Sequence, residues 1–290
     1  MKYAFIEEQR TQHCIERMCS MLEVSRAGYY EWRGRPESMR SQADAELRAA
    51  IVEAHTKSRR TYGRPRIHAE LAAQGVRVGS KRIGRIMKSA GIAGVRPRRL
   101  RKTTDSAHGL PVAANALARQ FNVAQIGTKN RMWAGDITYL PTREGWFYLA
   151  VVLDLFSRRV IGWSMSTTIT RTLVIDALKA ALQNRRPPTG TLFHSDRGSQ
   201  YASTDFGDIL DAYGMMPSMS GKGECWDNAV VESFFGSMKS ELGDPVWESR
   251  VIARAAIFDY IEIFYNRVRR HSTLGYLSPE QFESTLPNAA

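Results

Sequence analysis

Three acidic residues that lie far apart in the sequence have side chains suited to shared chemistry. Asp136 lies within a strand-like run, Asp196 follows the short apolar run TLFHS, and Glu232 lies in the helical stretch DNAVVESFFGSMKSEL. Carboxylates a few ångströms apart repel one another and raise each other's pKa, and a divalent cation reverses that effect. Mg²⁺ prefers oxygen ligands and keeps positions open for water and phosphate, and two such ions about 4 Å apart assist phosphoryl transfer. The combination predicts metal-assisted phosphoryl transfer, although each acid alone also fits an ordinary structural role.

The helical stretch that carries Glu232 is amphipathic. Its apolar side chains form one stripe at helical spacing: Val231, Phe234, Phe235, Met238 and Leu242. Asn228, Glu232 and Lys239 form a polar strip along the border of that stripe. We expect Asp227 or Asn228 to cap the helix, and Glu232 to point past the packed face toward the ends of neighbouring strands.

The elements around these acids predict an α/β domain. Three strand-like runs, MWAGDITYL, FYLAVVLDLF and RVIGWSMS, are separated by short gaps that favour antiparallel pairing. The stretch TRTLVIDALKAALQNR then predicts a helix. TLFHSD predicts a fourth strand, followed by a helix through about Tyr213 and a fifth strand near MMPSMS. This order is typical of a mixed five-stranded sheet flanked by helices, which we place over residues 131–245, with a C-terminal helical extension over residues 246–290.

Residues 1–100 predict an all-α region with two helix-turn-helix outlines, at about residues 12–33 and 63–92. We expect Ser25 to cap the second helix of the first outline and Ser80 the second helix of the second. In the second outline, the apolar residues expected to face inward are Ile67, Leu71, Ala72, Ile83, Ile86 and Met87. The opposite face of its second helix is basic, with Lys81, Arg82, Arg85 and Lys88. A helix of this kind suits contact with the DNA backbone and groove, and an ordinary solvated helical hairpin is the alternative.

Basic residues are concentrated in the first part of the chain. Residues 1–130 contain 25 Lys and Arg against 11 Asp and Glu, whereas residues 131–290 contain 16 against 18. Such asymmetry predicts a polyanion partner, most often nucleic acid; a role in solubility alone is the alternative. Residues 101–130 mix turn formers with a weak helical pattern, which predicts a linker.

Composition excludes several other classes of protein. The three cysteines, Cys14, Cys19 and Cys225, have no CxxC spacing, which argues against a disulfide framework and fits a reducing cytosol. The spacing of His13, Cys14 and Cys19 matches no familiar zinc finger. The N-terminus has no apolar run of the signal-peptide kind, and no stretch approaches the roughly 18 apolar residues of a membrane span.

Several blocks of the sequence resemble one family of proteins. WAGDITYL, HSDRGSQY and DNAVVESFFGSMKSEL resemble the signature blocks of an integrase catalytic core. The 35 residues between Asp196 and Glu232 are a gap similar to that of retroviral integrases and of bacterial insertion-sequence transposases of the family numbered three. The blocks VSRAGYYEWR, YGRPRIHAEL and YNRVRRHSTLGYLSPEQF resemble the same transposases. The likeness spans roughly residues 15 to 285.

The resemblance implies a ribonuclease-H-like core in which Asp136, Asp196 and Glu232 are the catalytic residues and hold two Mg²⁺ ions, with Mn²⁺ as a substitute. Asp154 also ends an apolar strand, but the family's triad does not use that position, so we interpret it as structural or supporting. Asn228 is expected to orient a ligand or a water.

The resemblance also implies contacts with DNA. In related integrases a lysine two helical turns beyond the glutamate touches the DNA end, and Lys239 is similar. His194 and Arg197 flank the predicted metal site, where they suit contact with phosphate; packing is the alternative for His194. The full set of residues expected to bind DNA is Lys239, Arg197, Lys81, Arg82, Arg85, Lys88, Arg64 and Arg66.

The activity implied is that of a DNA transposase. Hydrolysis of a strand at the element's end frees a 3′-hydroxyl, which then attacks a phosphodiester elsewhere, so the DNA partners are the terminal repeats and the target. Binding two ends implies a homo-multimer, and in this family an upstream reading frame is a further partner, this chain then being the second-frame product. The expected location is the bacterial nucleoid, in the cytoplasm, with no membrane. Two alternatives remain open: a DNA-binding regulator with a relic core, and a ribonuclease-H-type nuclease that cuts without joining.

Overall fold

The computed structural model describes residues 1–96, 111–221, 224–243 and 245–285. The chain forms two compact units, Met1–Val52 and Glu53–Ala290. The last residues of the predicted DNA-binding region, 97–100, and the first part of the predicted linker, residues 101–110, lie outside the described residues.

The first unit is helical. Helices α1 (Lys2–Gln9), α2 (Ile15–Met21) and α3 (Arg26–Gly34) are followed by α4 (Met39–Lys57), within which the boundary between the units falls. Ser25 accepts a 2.9 Å hydrogen bond from the Gly28 N–H, so the predicted cap is confirmed. Ile6, Met18, Cys19 and Tyr29 form the buried centre, and Cys14 and Cys19 are free thiols.

The second unit begins with the end of α4, followed by the predicted helix pair, α5 (Arg64–Ala73) and α6 (Ser80–Ser89). Gly75 ends the first of these with a φ of 83°, a conformation that costs glycine little. The predicted cap at Ser80 is wrong, because Gly79 occupies the N-cap and Ser80 is already helical. The predicted apolar faces are confirmed by burial except at Ala72, which is exposed because it lies beside the packed stripe.

A mixed five-stranded sheet follows, as the sequence predicts. After the short helix α7 (Val123–Ile126), the elements in chain order are β1 (Met132–Thr142), β2 (Gly145–Asp154), β3 (Val160–Ser166), α8 (Arg171–Arg185), β4 (Leu192–Ser195), α9 (Thr204–Ala212) and β5 (Met216–Met219). The strand order is β3-β2-β1-β4-β5. The first three strands pair antiparallel, whereas β4 pairs parallel to β1 and to β5.

The described C-terminal part of the chain is helical. A 3₁₀ turn (Cys225–Asn228) leads into α10 (Ala229–Leu242), which is followed by α11 (Arg250–Phe258) and a π-helical segment (Asp259–Tyr265). A second 3₁₀ turn (Ser272–Leu274) precedes α12 (Pro279–Ser284).

The main core lies where α8 and α9 cover one face of the sheet. Trp133, Phe193, Leu178 and Phe206 are buried there. Apolar side chains at period two on the strands and at helical spacing on α8 supply this layer. The opposite face of β1 carries the acid Asp136, and α10 packs on β1.

Candidate active site

One predicted acid, Asp136, lies on β1, and a second, Asp196, directly follows the adjacent parallel strand β4. Ala134 of β1 pairs with His194 of β4, and this is the last pair in register between the two strands. Asp136 and Asp196 each lie two residues beyond it. Since side chains alternate between faces with a period of two and neighbouring strands are about 4.8 Å apart, both carboxylates start from the same face and edge of the sheet.

Backbone groups hold the two aspartates locally. The carboxylate of Asp136 accepts a 2.8 Å hydrogen bond from the N–H of Ile137. The carboxylate of Asp196 accepts one of 2.9 Å from the N–H of Gly198, in the turn just after β4. Each carboxylate therefore keeps lone pairs that these two bonds do not use.

The third acid enters from α10. Glu232 lies in the first turn of that helix and is partly buried. The helix start is joined to β1, because the Asn228 side-chain Nδ2 donates a 3.2 Å hydrogen bond to the carbonyl of Gly135, the residue before Asp136. The predicted side-chain cap is therefore wrong: Asn228 occupies the N-cap position, but its amide is turned to the strand. Asn228 Oδ1 is buried and has no hydrogen-bond partner among the residues that the structure describes.

The three carboxylates influence one another electrostatically. Burial raises the pKa of Asp136 well above its ordinary value, and the charges of Asp196 and Glu232 raise it further. The Ile137 N–H and the positive charge of Lys239 act in the opposite direction on the same pKa. Burial also raises the pKa of Glu232, and Asp196 adds to that shift. Acids from β1, the end of β4 and α10 are thus close enough to form one electrostatic cluster.

The donor chemistry of this cluster fits a hard divalent cation. All three candidates are carboxylates, which Mg²⁺ prefers, and a cation would offset the repulsion that raises their pKa. Within the described ranges, no three His, Cys, Asp or Glu side chains are arranged as a group that could hold a metal ion. Carboxylates without a cation repel one another, so we expect them to lie farther apart than in a metal-bound site. The three carboxylates would have to move closer together to share an ion.

Lys239 and Arg197 border the cluster. Lys239 lies on α10 two turns after Glu232, and its charge lowers the pKa of Asp136. Arg197 follows Asp196 directly, and its Nε donates a 2.6 Å hydrogen bond to the carbonyl of Ser220. Both side chains are partly buried.

His194 is placed differently from a residue that touches phosphate. Its side chain is fully buried, and its Nδ1 and Nε2 lie 2.9 and 3.2 Å from the hydroxyls of Ser218 and Ser220. Burial lowers the pKa of His194 to about 4, so the imidazole is neutral at physiological pH. The packing alternative accounts for this residue, and Asp154 is likewise structural, since it accepts hydrogen bonds from the N–H groups of Asn130, Phe156 and Ser157.

Tyr201 packs behind the candidate site, a contact that sequence reasoning missed. An added Cβ at Gly135 would lie 2.8 Å from Phe193 Cζ and 3.3 Å from the Tyr201 hydroxyl oxygen. The phenol is therefore packed under the strand that carries Asp136. Burial and the charges of Asp136 and Asp196 raise the pKa of Tyr201 well above its ordinary value. Its position at the end of the block HSDRGSQY was the available signal.

The described part of the predicted linker is bound beside α10, which the sequence did not predict. The buried carboxylate of Asp227 accepts hydrogen bonds from Asn115 Nδ2 at 2.8 Å, Arg119 Nε at 2.7 Å and the N–H of Gly221 at 2.8 Å. Arg119 also pairs with Glu224 at 2.5 Å. Residues from the linker thus hold the turn that leads to Glu232.

The predicted DNA-contact residues of the helix pair divide into two groups. Lys81, Arg85 and Lys88 are exposed on α6, Arg82 is partly exposed, and Arg64 is exposed at the start of α5. Arg66 departs from the prediction, because its guanidinium faces the protein interior. Its Nε donates a 2.9 Å hydrogen bond to the carbonyl of Arg270, and its Nη1 lies 3.8 Å from Glu241.

Comparison with known proteins decides the family. The Integrase core domain model matches residues 128–225, a second Integrase core domain model matches residues 213–279, and the HTH-like domain model matches residues 41–99. Transposase InsF for insertion sequence IS3A of Escherichia coli (strain K12) is 46% identical over 287 residues, which are 98% of this chain and 99% of that protein. The chain belongs to the IS3-family transposases.

The chain is also similar to a protein of another insertion element. The insertion element IS600 uncharacterized 31 kDa protein of Shigella sonnei is 43% identical over 266 residues, covering 91% of this chain and 97% of that protein. Among solved structures, the simian T-cell lymphotropic virus intasome in complex with PP2A regulatory subunit B56 gamma aligns with a TM-score of 0.46 and 18% identity, over 83% of this chain and 76% of that one.

Membership of the IS3-family transposases confirms the predicted family and enzyme class, and the mixed five-stranded sheet confirms the predicted fold class. The chain is a transposase with an integrase core domain, a polynucleotidyl transferase that acts in DNA transposition, and its HTH-like domain implies DNA binding. Within the described ranges, no helix combines the length and apolar character needed to cross a membrane.

Proposed function

We propose that this transposase catalyses Mg²⁺-dependent 3′-end strand cleavage and strand transfer of its insertion sequence, with Asp136, Asp196 and Glu232 as the catalytic, metal-binding residues. One observation carries the proposal. The charges of Asp196 and Glu232 raise the pKa of Asp136, and the charge of Asp196 raises the pKa of Glu232, so a cation placed among the three carboxylates would be stabilised by all of them.

The chain's own residues prepare this edge for a phosphodiester. Two bound Mg²⁺ ions, or Mn²⁺ ions in their place, would supply activation of the attacking oxygen and stabilisation of the leaving one. Asp136 is held by the Ile137 N–H and Asp196 by the Gly198 N–H. Asn228 joins the start of α10 to β1, which keeps Glu232 near the aspartates. Lys239 and Arg197 provide positive charge beside the site for the phosphates of the DNA end.

The proposed division of the chain follows from these roles. Residues 1–100 bind DNA, with the basic face of α6 as the main described contact, and residues 101–130 connect this region to the core. Residues 131–245 carry the catalysis, and residues 246–290 form a helical extension. Strand transfer between two element ends requires two copies of this chain on DNA. We therefore propose a homo-multimer that acts at the nucleoid. An upstream-frame product is a further partner.

Strand transfer on labelled DNA that carries the element's own ends tests the proposal. We expect shortened strands and joined products larger than the input with Mg²⁺ or Mn²⁺ for the unaltered chain, and neither product for Asp196→Asn. Asp208→Asn is the matched control, because Asp208 is an exposed acid on α9, and it should behave like the unaltered chain.

The other outcomes separate the alternatives. Cleaved but never joined strands would show a nuclease, and DNA binding without cleavage, both alone and with the upstream-frame product, would show a regulator. Metal-dependent cleavage that survives in Asp196→Asn would contradict the assignment of the three acids.

A further inference from the structure

The C-terminal block YNRVRRHSTLGY contains three arginines, a residue type that often contacts the phosphates of DNA. Two of them are inside the protein instead. The side chains of Arg269 and Arg270 are only 4% and 10% exposed. Arg267, by contrast, is 59% exposed and pairs with Glu280 at 3.6 Å. The two buried arginines therefore make contacts within the chain, and their partners lie on two functionally different helices.

Arg269 binds the helix that carries Glu232. Its Nε and Nη2 donate hydrogen bonds of 2.9 and 2.7 Å to the carboxylate of Glu241, nine residues after Glu232 on α10. Glu241 is 6% exposed and also accepts a 2.9 Å hydrogen bond from the hydroxyl of Tyr260. A bidentate guanidinium–carboxylate pair fixes the relative orientation of the two side chains as well as the distance between them. This contact therefore holds the C-terminal end of α10 in one orientation.

Arg270 binds the helix pair that carries the basic face. Its Nε donates a 2.6 Å hydrogen bond to Glu70 of α5, and its carbonyl accepts one of 2.9 Å from Arg66 of the same helix. Its backbone N–H donates a 2.7 Å hydrogen bond to the hydroxyl of Tyr62, just before α5. Arg66 also lies 3.8 Å from Glu241. Helix α5 thus meets α10 through this segment, and α5 packs against α6.

We infer that five charged residues fix the DNA-binding helix pair relative to the catalytic helix and so select the phosphodiester to be cut. We call this set of residues the joint; its members are Arg66, Glu70, Glu241, Arg269 and Arg270. Apolar residues of similar volume would give a buried interface equal or greater stability, so stability alone does not explain charges here. Directional pairs exclude alternative placements of α5 on the core, because each would leave a buried charge without its partner. The joint residues are positioning residues, and this inference rests on the proposed function.

Mapping of the cleaved position tests the joint. Glu70→Gln removes the charge that Arg270 contacts on α5, and its side chain is 25% exposed, so the variant is expected to fold. Glu280→Gln is the matched control, because it removes the exposed partner of Arg267 in the same segment. End-labelled element DNA is cut with Mg²⁺, the 3′ ends are mapped to single-nucleotide resolution, and binding to the same DNA and nicking of supercoiled plasmid are measured alongside.

We expect the unaltered chain and Glu280→Gln to cut one phosphodiester. Glu70→Gln should bind end DNA within about twofold of the unaltered chain, should nick plasmid at an unchanged rate, and should distribute its cuts over several neighbouring phosphodiesters. Cleavage by Glu70→Gln at the same single position, whatever its yield, would overturn the joint, since a lower yield alone reflects stability. Failure of the proposed function is distinguishable, because the unaltered chain would then cut at no position.

Discussion

The side chain of Asn228 donates a hydrogen bond of 3.2 Å to the carbonyl of Gly135, so the helix with Glu232 is joined to the strand with Asp136 by a side chain adjacent to both. The bond spans 93 residues of sequence. The start of α10 is therefore positioned by a contact with β1 and not by a side-chain cap within the helix.

Asn228→Ala should therefore show how strongly cleavage depends on the position of Glu232, because this substitution leaves the carboxylate itself unchanged. Loss of a buried hydrogen bond costs about 1 kcal/mol of stability, and a displaced catalytic group costs about 10- to 100-fold in rate. We expect a cleavage rate lower by at least about tenfold, with DNA affinity unchanged, in single-turnover cleavage and equilibrium binding assays. Asn184→Ala, which removes a comparable amide bond from Asn184 to the Ile161 carbonyl, is the control and should keep the cleavage rate. Equal rates in the two variants would contradict a role for the Asn228 contact.

The raised pKa values of Asp136 and Glu232 predict how stability depends on pH without metal. The folded chain binds the protons of these two carboxyl groups more tightly than the unfolded chain does. This difference favours the folded state below the unfolded pKa of about 4. The folded state loses that advantage as the pH rises through the raised pKa. Asp136→Asn should therefore melt at a higher temperature than the unaltered chain at pH 7 in chelator, and the difference should vanish near pH 4. Thermal melts from pH 4 to 8 measure this, with Asp208→Asn as a control that should show no such gain.

The same variants report on metal binding without any cleavage assay. A ligand that binds only the folded state raises the melting temperature. Mg²⁺ should raise the melting temperature of the unaltered chain and of Asp208→Asn at pH 7, and have little effect on Asp136→Asn. An equal rise in all three would place the ion away from these acids.

The ion pair between Arg119 and Asp227 predicts that the linker supports the site. Burial raises the pKa of Asp227, but hydrogen bonds from Gly221 and Arg119 outweigh burial and leave the pKa below its ordinary value. This stabilisation is present above the unfolded pKa of about 3.9 and is lost as the pH falls through the lower folded value. Arg119→Met should lower the melting temperature at pH 7, by an amount that shrinks in acid, and should slow cleavage.

An exposed pair provides the control for Arg119. Arg171 and Asp205 lie 2.6 Å apart, with side chains 61% and 53% exposed, and such pairs contribute little. Arg171→Met should leave both the melting temperature and the cleavage rate almost unchanged. Equal effects of the two substitutions would remove the case for the Arg119 contact.

The exposed basic face of α6 predicts the salt dependence of DNA binding. Each phosphate contact contributes a slope of about −0.9 in log K against log salt. The double variant Lys81→Ala, Lys88→Ala should bind end DNA more weakly and lower the magnitude of the slope by up to about 1.8, while its melting temperature stays unchanged. Lys179→Ala, on the exposed side of α8, is the control. An unchanged slope in the double variant would place the DNA contact on another surface.

The sequence by itself determined the order of elements and the types of residue at the site. Strand periodicity at Trp133 and Phe193 and helical spacing in α8 are local patterns that burial enforces, so they were predictable. Asp136, Asp196 and Glu232 were candidates from the sequence because three carboxylates in combination suit a divalent cation, and the resemblance to a known family implied them together.

The tertiary structure alone decided which polar groups meet. The local sequence around an arginine is the same whether its side chain faces DNA or a buried carboxylate. The sequence therefore could not distinguish the inward-facing Arg66, Arg269 and Arg270 from the exposed Lys81 and Lys88. The side chain of Asn228 binds Gly135, and that of Asp227 binds Asn115 and Arg119, which are 93, 112 and 108 residues away in the sequence. Both residues therefore resemble helix caps when only their local sequence is considered. Burial of a charge or an amide depends on the groups that surround it in space, and no local pattern contains that information.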